Sequence, residues 1–313
     1  MNPDVSFTSE ARSAFGRGTV LATHKLADMD LFDDVSLGKI VENHPEHLLH
    51  ALTMGFDPLH SSDNEKVVHR GVSGVDVLEA VRKGRLWLNI TNIDAVDPRF
   101  RELTDALYAG VRAQNPSFRV DETHATLLIS SPNAMVYYHV DGPPSFLWHI
   151  RGRKRVWVYP AQDETLLSRP MLEDVFAGVR QEYVPYQSSF DERAEIFDLE
   201  PGQCAMWIQN APHRVSNLDS FNVSLVTDHY TPEARRRARV YRANRFLRAK
   251  AHVPYRFLSP VETGLLATAK VGVHKIGATL KLDDKVAKAH PIPSRKIDAN
   301  SVDGLRLLAD GRV

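Results

Sequence analysis

One cysteine in 313 residues, Cys204, excludes an internal disulfide and any metal site built from several thiolates, so a bound metal would take nitrogen and oxygen ligands. Uninterrupted apolar runs long enough to cross a bilayer are also missing, because the most apolar late stretch, Gly264 to Leu280, carries Lys270, His274 and Lys275. The opening MNPDVSFTSEARSAFGRG lacks the apolar run of a secretory signal, and the location expected from this is the cytoplasm. The sequence contains no internal repeat and no low-complexity tract, which removes solenoid and fibrous architectures. It has no net charge either, with 39 Lys+Arg against 39 Asp+Glu.

That balance is uneven along the chain. Residues 232–313 hold 18 Lys+Arg and 7 Asp+Glu, leaving 21 and 32 in residues 1–231. A basic tail and an acidic body have complementary potentials, which predicts a tail packed on its own body or on a second subunit, a homodimer. The segment ARRRARVYRANRFLRAK, with Arg235, Arg236, Arg237, Arg239 and Arg242, also invites a nucleic-acid reading. Basic residues on all sides of that helix, and apolar Val240, Tyr241, Phe246 and Leu247 among them, favour packing over nucleic acid.

What is present is an ordinary globular composition, 43% hydrophobic, with fourteen histidines as available metal donors. In the first third, SLGKIVENH reads as a helix capped by Asp34 or Ser36, and HLLHAL as a strand. Apolar Val72, Val75, Leu78 and Val81 predict a helix ending at Gly84, LWLNI a strand, and Leu103, Leu107 and Val111 a helix from Arg99 to Pro116. From Ala125 to about Tyr230 short apolar runs alternate with turn residues: ATLLIS, MVYYHV, SFLWHI, KRVWVYP, EIFDL, CAMWI and FNVSLVTDHY. Many short strands at close spacing predict a sandwich or barrel. Residues Ala161 to Arg193 interrupt them, and such insertions shape site entrances or run passively over the surface. Thr231-Pro232-Glu233 starts the tail helix.

His139 and Asp141, two apart at the end of MVYYHVD, put an imidazole and a carboxylate on one sheet face. A second imidazole, His213 in NAPHRV, would complete a two-histidine, one-carboxylate face that leaves metal positions open for reactants. His149 is its rival as ligand, otherwise a polar wall. His60, His69 and His229 read as surface or structural histidines. Fifteen residues after His139, Lys154 opens the strand KRVWVYP and can return an ammonium toward the metal face, where it would pair with a carboxylate.

HVDGPPSFLWHIRGRKRVWVYP, EPGQCAMWIQNAPHRVSN and FNVSLVTDHY together resemble the Jumonji-C and cupin-like family of 2-oxoglutarate oxygenases, over residues 120–230. The resemblance implies a mainly β fold: a double-stranded β-helix (jelly-roll, cupin) core at 120–231, a mixed α/β flank at 1–119 and a basic, largely helical tail at 232–313. It implies iron(II) on His139, Asp141 and His213, and 2-oxoglutarate anchored by Lys154. Where relatives carry a threonine, three residues before the first ligand, this chain has Val136, so Tyr137 and Ser145 are the expected further cosubstrate contacts. The activity implied is a dioxygenase that hydroxylates a protein or peptide side chain or a small molecule. The competing readings are a catalytically idle cupin-like binding module and a metal-dependent cupin enzyme that does not use 2-oxoglutarate.

Overall fold

The computed structural model describes residues 2–55, 57–60, 64–180, 182–280, 282 and 293–308. The remaining positions of the basic tail, 281, 283–292 and 309–313, lie outside the described residues. In chain order the elements are β1 (Ser6–Phe7), α1 (Ser9–Ala14), β2 (Val20–Thr23), α2 (Asp34–Asn43), β3 (Leu49–Thr53), β4 (Val67–Val68), α3 (Gly74–Lys83), β5 (Leu86–Ile90), α4 (Ile93–Val96), α5 (Pro98–Gln114), β6 (Glu122–Ser130), β7 (Met135–His139), β8 (Ser145–Arg151), β9 (Lys154–Val158), α6 (Arg169–Phe176), β10 (Glu195–Leu199), β11 (Gln203–Met206), β12 (His213–Asn217), β13 (Asn222–Tyr230), α7 (Pro232–Lys250), α8 (Gly264–Thr279), β14 (Arg295–Ile297) and β15 (Leu305–Leu307).

Helices α2, α3, α5 and α7 begin where a short polar side chain caps free backbone N–H groups. Asp33 accepts from Ser36, Ser73 from Asp76, Asp97 from Arg99 ahead of Pro98, and Thr231 from Ala234 ahead of Pro232. The cap of α2 is thus one residue before the expected Asp34, which is already helical. Gly74 at the start of α3 sits against the backbone of Gly38 in α2; a Cβ there would lie 2.0 Å from the Gly38 carbonyl oxygen.

Eight strands form one antiparallel sheet in the order β1-β2-β11-β8-β13-β6-β5-β3, and four form a second, β10-β9-β12-β7, also antiparallel. Alternation along β8 explains how two cores share one strand. Phe146, Trp148 and Ile150 join the core under α2, α3 and α5, while Leu147 packs with Val156, Val158, Val215, Ala205 and Trp207 between the sheets. The outer face of the small sheet, through Tyr138 and Tyr159, is covered by Leu166, Leu172 and Phe176 of the insertion and by Val240 and Tyr241 of α7. The small sheet is therefore buried on both faces.

The tail helix α7 lies on its own chain. Arg235 pairs with Glu122 at 2.5 Å, Arg245 and Arg248 each with Asp174 at 2.7 Å, and Arg242 donates to the Phe176 carbonyl at 2.9 Å. The chain then returns to its first third, where β14 pairs in parallel with β4 and antiparallel with β15. Among the described residues no helix is long and apolar enough to cross a membrane.

Candidate metal centre

The two candidate histidines face each other across one strand pair. His213 opens β12 directly opposite His139, the last residue of β7. The next registered pair is Val215 with Val136, so two residues of β7, Tyr137 and Tyr138, stand against one of β12, Arg214. This bulge lets Val136 face the inter-sheet core while Tyr138 joins the outer one. The imidazole rings come to 4.0 Å between centroids. Asp141, two residues past the strand end, turns its carboxylate to both: one oxygen lies 3.6 Å from His139 Nε2 and the other 3.3 Å from His213 Nε2.

The tautomers follow from the other ring nitrogens. His139 Nδ1 is 2.7 Å from the Tyr137 carbonyl and His213 Nδ1 is 3.1 Å from the Ala211 carbonyl. A carbonyl can only accept, so in the neutral rings both Nδ1 carry the proton and both Nε2 present a lone pair. Two lone pairs and a carboxylate aimed at one point repel each other unless a cation stands between them. Donors at right angles on bonds of about 2.1 Å would be ~3 Å apart, close to the separations seen here. Burial, then the neighbouring His139, pushes the His213 pKa down to about 4 against the pull of Asp141, so this ring is neutral and ready to ligate at neutral pH. Among the described residues these three form the only His/Cys/Asp/Glu group arranged to hold a metal, with ligand atoms within 4.8 Å of one another. The donor set of two nitrogens and one oxygen fits a divalent transition metal, iron(II) included.

Lys154 starts β9 on the same face as Val156 and Val158, and Val158 is registered opposite His213. Four residues along a strand is about 13 Å, a gap that the side chain shortens from one end and a bound metal from the other. Lys154 is 4% exposed, with no hydrogen bond or ion pair among the described residues. Burial alone drives its pKa down to about 7. His149, the rival ligand, is fully buried and tied at both nitrogens, to Ser224 Oγ at 3.0 Å and to the Gly152 carbonyl at 2.9 Å. Burial and then the Lys154 charge lower its pKa to about 3. It lies outside the metal group.

Ser145 is buried on β8 opposite Asp228 of β13, whose carboxyl is pushed up to about 8 by burial and then by Asp141 and Glu182. Tyr137 is also buried, and its hydroxyl accepts from the Gly55 N–H at 2.9 Å. Its ring meets Tyr183 edge-on at 5.9 Å. His229 is buried, with Nδ1 at 3.1 Å from the Tyr108 hydroxyl, and His60 pairs with Asp57 on the surface.

Sequence reasoning missed three neighbours. Tyr183 comes from the 161–193 insertion, which runs along the free edge of β7 as a short antiparallel bridge to His139. Trp207 packs its ring 4.5 Å from His213, where strand composition predicts only core filling. Gln209 donates to the Gly142 carbonyl at 2.7 Å, next to Asp141. No local motif marks these side chains, because each reaches the centre through a loop path that the sequence does not encode in its spacing.

No family model and no curated protein matches the chain. The solved structures give a likeness of fold. The X-ray structure of E. coli ycfD superposes with a TM-score of 0.52 at 14% identity, covering 89% of this chain and 69% of that one. A second structure, described as YcfD, a ribosomal oxygenase from Escherichia coli in complex with cobalt and 2-oxoglutarate, gives 0.47 at 14% identity, covering 88% and 68%. At 14% identity what the chain shares with the first of these is the strand-rich architecture.

Proposed function

We propose that the chain is an iron(II)- and 2-oxoglutarate-dependent oxygenase, its two antiparallel sheets forming the halves of a double-stranded β-helix. The observation that carries this is the pairing of two features: three converging donors, and on the same inter-sheet face a buried lysine with no partner among the described residues. A metal-binding cupin of another kind has use for the first feature alone. A dicarboxylic keto acid has use for both, since one end chelates and the other carries a carboxylate for Lys154.

Bound there, iron supplies the redox chemistry that couples decarboxylation of 2-oxoglutarate by dioxygen, giving succinate and carbon dioxide, to insertion of one oxygen atom into a substrate C–H bond. The chain's own work is placement. His139, Asp141 and His213 would hold the metal, and a set of three protein ligands would leave positions for reactants. Lys154 fixes the distal carboxylate of the cosubstrate, and Tyr137 and Ser145 are the proposed further contacts. Val156, Val158, Val215 and Leu147 pack between the sheets and keep that space apolar. The substrate class proposed is a protein or peptide side chain or a small molecule presented at the Asp141 end, with hydroxylation as the reaction.

Anaerobic titration with iron(II) and 2-oxoglutarate tests this reading. The expected result is a visible metal-to-ligand charge-transfer band, lost in Asp141→Ala and weakened in Lys154→Ala, with succinate released once oxygen is admitted. Iron binding without a band would replace it with a metal-dependent cupin that does not use 2-oxoglutarate. No metal binding at all would leave a catalytically idle binding module.

A further inference from the structure

Among the described residues the Asp141 carboxylate meets only the two imidazoles. Among the described residues nothing else holds the side chain, so its place is set by the backbone on either side of it. On one side the Val140 N–H donates to the Glu182 carbonyl at 3.2 Å. On the other the Gly142 carbonyl accepts from Gln209 Nε2 at 2.7 Å. Gln209 is itself oriented by the tail: its Oε1 accepts from Arg237 of α7 at 2.9 Å, and Arg237 Nε is held by Glu262 at 2.5 Å. The amide orientation is unambiguous, since a carbonyl can only accept and a guanidinium can only donate.

The loop that carries Gln209 also serves the second ligand. Trp207 packs on the His213 ring, and the Ala211 carbonyl fixes the His213 tautomer. One loop therefore touches both halves of the metal centre, and one residue of the tail helix grips that loop. We propose that the tail is a working part of the metal centre: Arg237, acting through Gln209, is a positioning residue that sets the backbone of Asp141 and thereby the affinity for metal. This rests on the metal reading given above. It assigns to the basic tail a role that its charge alone does not.

The test uses the full chain and Mn(II), its free concentration read from the electron paramagnetic resonance signal. Gln209→Glu retains the bond to Arg237 and removes the donor to Gly142; Arg237→Met leaves Gln209 without its orienting cation. Each is expected to weaken Mn(II) affinity about tenfold, the range found for residues that orient metal ligands. Arg235→Met, two residues earlier on α7 and paired with Glu122 instead, is expected to leave it unchanged. Equal affinity in wild type and both variants would overturn the proposal. Amide hydrogen exchange across residues 140–146 in metal-free protein gives an answer independent of metal binding. Faster exchange in both variants, at an unchanged melting temperature, is the expected result, and unchanged exchange overturns the relay. If the wild type binds no Mn(II), the metal reading fails, and the exchange data alone then show whether the tail holds this loop.

Discussion

Lys154 is buried by the fold without a partner among the described residues, and it is informative for that reason. An unfolded lysine is charged at neutral pH, whereas the folded chain has to bury that charge or give up the proton, since burial lowers the pKa from 10.5 to about 7. The penalty is fully present below pH 7 and fades as pH rises toward 10.5, where the unfolded state also becomes neutral. Lys154→Met is thus expected to raise the stability of the metal-free protein at pH 7 by a few kcal/mol, on the order of 1.4 per pKa unit at most. The gain should shrink steadily toward pH 10, as followed by denaturant unfolding across that range. The same variant is expected to lose most of its affinity for 2-oxoglutarate. Gain of stability with loss of cosubstrate marks a binding residue; loss of both would mark Lys154 as structural.

His149 and His213 show what spacing leaves open at this scale. Both are inward-pointing histidines near strand ends, and alternation alone treats them alike. What separates them is partners distant in sequence: Ser224 ties one nitrogen of His149 and Gly152 the other, whereas His213 keeps its Nε2 for Asp141. The closeness of His139 and Asp141 was readable because two residues this near in sequence, at the end of one strand, need no tertiary knowledge to be placed together. Tyr137 obeys a different rule, since the bulge between Val136 and His139 interrupts the two-residue alternation of β7.

Among elements, the 161–193 insertion acts as a strap across the small sheet. Its anchor is Asp191, which accepts from the Tyr159 hydroxyl at 2.6 Å, the Tyr186 hydroxyl at 2.8 Å and the Arg214 guanidinium at 2.5 Å. Burial opposes the charge of Asp191, but these donors outweigh it and hold the pKa below the usual carboxylate range. Its contribution is present at neutral pH and lost as pH falls through the lowered pKa. Asp191→Ala is expected to cost about 1–3 kcal/mol and to open residues 161–193 to limited proteolysis. At pH 3 the difference from wild type should have narrowed. The helix pair α2 and α3 carries a second element-scale expectation. Because the Gly74 Cα sits on the Gly38 backbone, Gly74→Ala forces the helices apart and should cost about 1–3 kcal/mol in denaturant unfolding, an overpacking effect that a surface glycine would not show. The strands from Ala125 to Tyr230 were legible because their apolar alternation is local. β1, β2 and β4 were not, being two to four residues long and stabilised only by the edges they meet.

Across the whole molecule, the charge asymmetry has a counterpart in contacts: Arg235, Arg245 and Arg248 of α7 meet Glu122 and Asp174 of the same chain's body, while Arg237 meets Glu262 within the tail. Helix α8 leaves Leu266, Ala269, Val273 and Ile276 toward solvent, three and four residues apart. None of this geometry was readable from charge counts, which predict attraction between tail and body without specifying the face.

The measurement that reaches the centre of the account is anomalous diffraction at the metal edge from crystals grown anaerobically with iron(II). One peak bonded to His139 Nε2, His213 Nε2 and an Asp141 carboxylate oxygen, about 2.0–2.2 Å from each, is the expected result. A peak at His149, a metal bound without Asp141, or no peak at full iron loading would contradict it.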